Sequence, residues 1–211
     1  MRQRSLLIGG LAAVTAALLV AVTATAIGLS GSSIARPGGM MGVSSGGGGA
    51  NIGMDRAASV AQRVAASHPG GGLVVDEVIE FSNGYYASIR EKSTGVGAFE
   101  ILIDRATGRV TREPGPDMMW NTSYGMMGGA HASGGGASVS SSQARDIAQS
   151  WLDANEPGTT AKAPDPFHGY YTVDFERKGR LAGMLSVNGF TGTVWYHSWH
   201  GEFVQLRDLG G

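Results

Sequence analysis

The sequence predicts an α+β fold of two small repeats, each one helix packed on a three- to four-stranded antiparallel sheet, behind an N-terminal transmembrane helix. Three observations predict it: an uncharged apolar stretch near the N-terminus, two glycine-rich tracts that divide the chain, and a helix–strand–strand–turn pattern that occurs twice. The 211 residues include 35 glycines and no cysteine. Glycine usually makes up about 7% of a chain. No Gly-X-Y period runs through the sequence, so a collagen is excluded. The lack of cysteine excludes a disulfide framework, a thiol nucleophile, an iron–sulfur centre and a cysteine zinc site. A formal charge of −1 offers no basic field for nucleic acid.

Residues 1–30 read as a membrane anchor or a signal peptide. Arg2 and Arg4 precede Leu6–Leu29, which carries no charge. About 20 apolar residues cross the hydrocarbon core as a helix, and the flanking arginines place the N-terminus in the cytoplasm. Ala24-Thr25-Ala26 fits a cleavage site, but a signal peptide's apolar stretch usually runs about 7–15 residues, so the length favours a retained single-pass anchor. Either way the rest of the chain is extracytoplasmic: at the cell membrane if anchored, secreted if cleaved.

Glycine marks the next boundaries. Nine glycines fall in residues 31–53 and six in 125–136. Neither tract has apolar periodicity, and glycine loses much backbone entropy on ordering, which predicts linkers over 31–53 and 125–137. The remaining domains are 54–124 and 138–211.

Each domain opens with an amphipathic helix. Ala57, Val60, Ala61 and Val64 form one apolar stripe, and Ala144, Ile147, Ala148 and Trp151 the other. Asp55 and the run Ser140, Ser141, Ser142 are available as N-caps, and His68-Pro69-Gly70 and Glu156-Pro157-Gly158 stop the helices. Strands follow from Gly84-Tyr85-Tyr86 and Gly169-Tyr170-Tyr171, then over Phe99–Asp104 and Met184–Asn188. Asp104 to Gly108 and Asn188 to Gly192 are hairpin turns, with glycine taking positive φ. The spacing between corresponding features is 87 residues at the helix, 85 at the Gly-Tyr-Tyr and 84 at the turn. One register conflict stands out: alternation puts Tyr85, Ala87 and Ile89 on one face, but Tyr171, Val173 and Phe175 in the second domain. A one-residue slip reverses the faces, so either a bulge intervenes or both faces are covered.

The order of helix, three strands and a D/N-x-x-T-G turn resembles the PepSY domain. Residues 55–112 carry the likeness through the Ala57–Val64 helix, Val75–Phe81, Gly84-Tyr85-Tyr86, Phe99–Asp104 and Thr107-Gly108-Arg109-Val110. Residues 141–196 carry it through Ala144–Trp151, Gly169-Tyr170-Tyr171, Leu185–Asn188 and Thr191-Gly192-Thr193-Val194. The second set departs at Asn188, where the pattern has Asp, and at Pro164 and Pro166, which demote its first strand to an edge. The resemblance implies a non-catalytic module that inhibits or regulates a peptidase, or binds another envelope protein. It brings no catalytic residues with it.

No H-E-x-x-H, G-x-S-x-G, P-loop or G-x-G-x-x-G after a strand is present, so the chain reads as no enzyme. The alternative chemistry is soft-metal binding. Met118, Met119, Met126, Met127 and His131 lie in a Gly- and Met-rich segment, and thioethers suit Cu(I) without deprotonation. The competing use of Met118, Met119 and Trp120 is as an apolar plug over the first sheet. His197 and His200, three apart on an expected strand, would point to opposite faces and make poor joint ligands. Asn121-Thr122-Ser123 has the form of a glycosylation sequon. Open sheet edges allow the two domains to join edge to edge, or two chains to pair. The 12-residue glycine-rich tract favours the intramolecular contact.

Overall fold

The computed structural model describes residues 51–126 and 138–210. The apolar stretch Leu6–Leu29, most of the first glycine tract, Met127 and His131 lie outside these residues. Among the described residues no helix is long and apolar enough to cross a membrane.

The first half runs α1 (Met54–Ser67), β1 (Leu73–Phe81), β2 (Gly84–Glu91), β3 (Gly97–Asp104), β4 (Val110–Arg112) and a one-turn helix α2 (Pro116–Met119). The second runs α3 (Ser141–Asn155), β5 (Thr160–Ala161), β6 (Asp165–Phe167), β7 (Tyr170–Arg177), β8 (Arg180–Asn188), β9 (Val194–Tyr196) and β10 (Phe203–Asp208). The helix stops fall where the Pro-Gly signals put them, with His68 and Glu156 as C-caps. The caps at the other ends differ. Ser140 and Gln143 form a reciprocal capping box on α3. Asp55 does not cap α1: it lies inside the first turn, Gly53 takes the cap position, and no side chain closes it.

The strands of both halves join in one ten-stranded mixed sheet, in the order β10-β1-β2-β3-β6-β7-β8-β9, with β4 on β3 and β5 on β7. The pairs are antiparallel except β3 with β6, which touch in parallel at Gly97 and Phe167. A Cβ at Gly97 would lie 2.4 Å from the Phe167 ring, so only glycine allows this junction. The prolines break the second half's first strand into the short β5 and β6, but they do not leave it at an edge as expected: β6 lies between β3 and β7. The C-terminal β10 leaves its own half and pairs with β1.

Register resolves the conflict between the two Gly-Tyr-Tyr strings. Gly84 faces Asp104, whereas Tyr170 faces Asn188. Tyr85 therefore corresponds to Tyr171, and the two strings are offset by one residue. Tyr85 donates to the Ile52 carbonyl and Tyr171 to that of Val139. The turns also match: Asp104 Oδ1 accepts from the Thr107 amide and Asn188 Oδ1 from that of Thr191. Asn replaces Asp here at no cost in geometry, because only a side-chain carbonyl oxygen is required.

Both faces of the central strands are covered. On one face, Ala57, Val60 and Ala61 of α1 pack on Tyr85, Ala87, Ile89, Phe99, Ile101 and Ile103. Ala144, Ala148 and Leu152 of α3 pack on Val173, Phe175, Leu185 and Val187. The helix-distal faces of the halves meet each other, through Ile79, Phe81, Tyr86 and Met184, with Leu102, Leu181 and Phe203 around them.

Candidate functional site

Strand alternation aims Tyr86 and Glu100 of the first half, and Tyr170, Thr172 and Ser186 of the second, away from the helices and into the seam between halves. All five are buried. Glu100 is the hub. Tyr86 and Thr172 donate hydroxyls to its Oε1 at 2.6 and 2.8 Å, and Tyr170 to its Oε2 at 2.7 Å. Burial, with Glu113 and Asp117 nearby, pushes the Glu100 carboxyl well above its usual range, against the hydroxyls that favour its charge. Burial, followed by the Glu100 charge, raises both tyrosines well above 10, which keeps them donors.

Asp117 supports the hub from α2. Its Oδ1 accepts the Glu100 backbone N–H at 3.0 Å, and its Oδ2 takes Arg112 Nε and Nη2, both at 2.7 Å. Burial pushes Asp117 up to about 6, with Arg112 opposing the rise. The plug over the first sheet is therefore Pro116 and Asp117, not the methionines: Met118 is half-buried and Met119 exposed. Asn121 is buried too, with Nδ2 on the Ala98 carbonyl at 2.7 Å, so the sequon is inaccessible.

A second cluster continues the seam. Ser186 Oγ lies 2.9 Å from His197 Nε2. His197 Nδ1 lies 3.5 Å, and His200 Nε2 2.9 Å, from Glu113 Oε1, which also accepts Trp199 Nε1–H at 2.9 Å. One ligating atom from each of Glu113, His197 and His200 lies within 4.8 Å of the others. The expected separation of the two histidines is thus wrong. β9 ends at Tyr196, so strand alternation stops there, and the following loop turns both rings onto one carboxylate. Burial raises Glu113, but His197 and His200 outweigh it and hold the carboxyl below its usual range.

His200 and Trp199 also wall a cleft of about 510 Å³, completed by Phe81, Asn83, Asp104, Thr107 and Arg109 among others. It opens beside the first hairpin turn, so it is a surface feature of the same seam.

Of the expected metal ligands, Met118, Met119 and Met126 are described. The Met126 N–H donates to the Met118 carbonyl at 3.1 Å, and Met119 and Met126 are 59% and 77% exposed. Met127 and His131 lie outside the described residues. Sequence reading missed Glu100, Glu113 and Asp117 altogether. A signal was available for one of them: the 84-residue spacing of the turns also relates Glu113 to His197.

Neither a family model nor a curated protein matches the chain. Among solved structures, the Bacillus megaterium YpeB C-terminal domain aligns at 12% identity with a TM-score of 0.26, over 69% of this chain and 62% of that one. The chain thus spans less than two thirds of that structure, and a likeness of this degree carries no functional argument.

Proposed function

We propose that this chain is a non-catalytic tandem PepSY-like module, exported and held at the cell envelope by its N-terminal apolar segment, that binds and regulates a protein partner such as an envelope peptidase. One observation carries the reading. The two halves build the same helix-on-meander unit with corresponding hydrogen bonds at the Tyr85 and Tyr171 hydroxyls and at the Asp104 and Asn188 turns. The polar side chains best suited to chemistry are engaged with one another in the seam rather than presented to a substrate. What faces outward is the cleft with Trp199, Asp104, Thr107 and Arg109, a mixed aromatic and charged surface of the kind partners use. The full chain, purified in detergent, is added to envelope and secreted peptidases of the same cell. Saturable inhibition that weakens in Arg109→Glu supports the proposal. Unchanged activity of each peptidase, together with no bound envelope protein, defeats it.

A second reading, Cu(I) binding, is favoured by the turn that brings Met118 against Met126 and leaves the Met119 and Met126 side chains exposed. Replacing Met118, Met119, Met126 and Met127 by Leu then abolishes Cu(I) uptake against a competing chelator. Unchanged affinity ends the idea.

A further inference from the structure

We infer that Glu113, His197 and His200 form a divalent transition-metal site, with Zn²⁺ as its natural chemical class, that clamps the two halves together. Glu113 follows β4 of the first half, and His197 and His200 follow β9 of the second, so a shared ion bridges the seam.

The first support is the direction of the hydrogen bonds. The Thr172 hydroxyl donates to Glu100, so its oxygen is left to accept from Ser186 Oγ, 3.4 Å away. Ser186, having given its proton to Thr172, accepts from His197 Nε2–H. That tautomer leaves a lone pair on Nδ1, aimed at a carboxylate oxygen 3.5 Å away. In that neutral state two lone pairs face each other in a buried site and repel; a cation between them, a proton on Nδ1 or a metal ion, reverses the sign.

The second support is unpartnered polar atoms. His197 Nδ1 and Glu113 Oε2 are both buried without a hydrogen-bond partner, on side chains that are fully buried. Such orphans are costly in a buried site unless something satisfies them. A metal ion bound by His197 Nδ1 satisfies the first, and satisfies the second where the carboxylate grips it through both oxygens.

The third support is spacing. Zn–N and Zn–O bonds of about 2.0–2.1 Å place tetrahedral ligand atoms about 3.3 Å apart. The measured separations from Glu113 Oε1 are 2.9 Å to His200 Nε2 and 3.5 Å to His197 Nδ1, which bracket that value. Two imidazoles and one carboxylate suit Zn²⁺ better than the soft Cu(I) expected of thioethers. Around the ligands, Ser186 fixes the His197 ring and Trp199 Nε1–H fixes the carboxylate, the supporting bonds that metal ligands require. His200 also walls the 510 Å³ cleft, which gives the ion a route in and leaves a fourth position for water or a partner's side chain.

The test uses the full chain in detergent, stripped with a chelator and titrated with Zn²⁺ alone, then with Co²⁺ as a coloured substitute. The expected result is one ion per chain, a higher melting temperature with Zn²⁺, and the visible absorption of four-coordinate Co²⁺. Glu113→Gln and His200→Ala each weaken Zn²⁺ binding by about 10–100-fold or more. The quadruple Met→Leu variant leaves it unchanged. If the wild-type chain takes up no Zn²⁺ and gives no Co²⁺ band, the inference falls, whatever the variants do. It falls equally if Glu113→Gln and His200→Ala fold and bind Zn²⁺ as tightly as the wild type.

Discussion

At the scale of single residues, the seam depends on one carboxylate. Glu100 accepts three hydroxyls drawn from both halves, Tyr86 from the first and Tyr170 and Thr172 from the second. Glu100→Ala leaves those hydroxyls buried without an acceptor, and orphaned groups of this kind cost about 1–3 kcal/mol each. We expect a loss of about 3–5 kcal/mol in urea unfolding, with Glu100→Gln costing clearly less because its amide oxygen still accepts. A loss below about 1 kcal/mol for Glu100→Ala would mean that the hub does not hold the halves together. Little of this was legible in the sequence. Glu100 sits in Phe99–Asp104 at a position that alternation assigns to the face away from α1. A lone glutamate on a strand reads as solvent-facing until something is known to cover that face. Glu113 and Asp117 were hidden for a related reason: their partners lie more than 80 residues on, or depend on a helix of one turn. The histidines were legible as residue types, but their geometry was not, because the end of β9 could not be located to the residue.

At the scale of elements, the sequence was far more informative. Apolar stripes fixed both long helices, Pro-Gly pairs ended them, and the strands fell at the Gly-Tyr-Tyr strings. Periodicity and turn chemistry are local, so they survive without knowledge of the fold. The caps were half legible: three serines in a row marked the start of α3, while α1 begins at a glycine that gives no signal. The two turns allow a discriminating measurement. Gly108 and Gly192 share a φ of +72°, a region that costs a side chain about 1–2 kcal/mol. A Cβ at Gly108 would meet Ile52 Cδ1 at an ordinary 3.6 Å, but at Gly192 it would press on Ile147 Cδ1 at 3.1 Å. Gly192→Ala is therefore expected to destabilise more than Gly108→Ala in chemical denaturation. The reverse order would show that Ile147 yields freely and that α3 is loosely seated on its sheet.

At the scale of the whole molecule, what the sequence could not show is how the halves combine. Edge-to-edge joining was the expectation, and β3 touches β6 in that way at a single residue pair. The larger contact is face to face, and it half-buries acids whose titration should be visible. Burial pushes Glu77 up from 4.5 to about 8, helped by Asp174, Asp165, Asp76 and Asp208, and pushes Asp174 up to about 7, helped by Asp165. A carboxyl raised in the folded state holds its proton while the unfolded chain has already released it. Its contribution is full below the unfolded pKa and is lost as pH climbs through the folded one. The melting temperature should therefore fall between about pH 5 and pH 8, and Glu77→Gln should flatten that slope. A melting temperature that rises over the same interval would contradict the placement of these acids. The pairing of β10 with β1 has a consequence of a different kind, in time rather than energy. Gln205 meets Glu80 across 125 residues of sequence, and such distant closures come late. A chain that emerges from the ribosome N-terminus first exposes the Glu77–Phe81 edge of β1 until β10 has been made. That edge is sealed only once Phe203–Asp208 has been made, so the arrival of β10 decides when β1 stops being available to strangers.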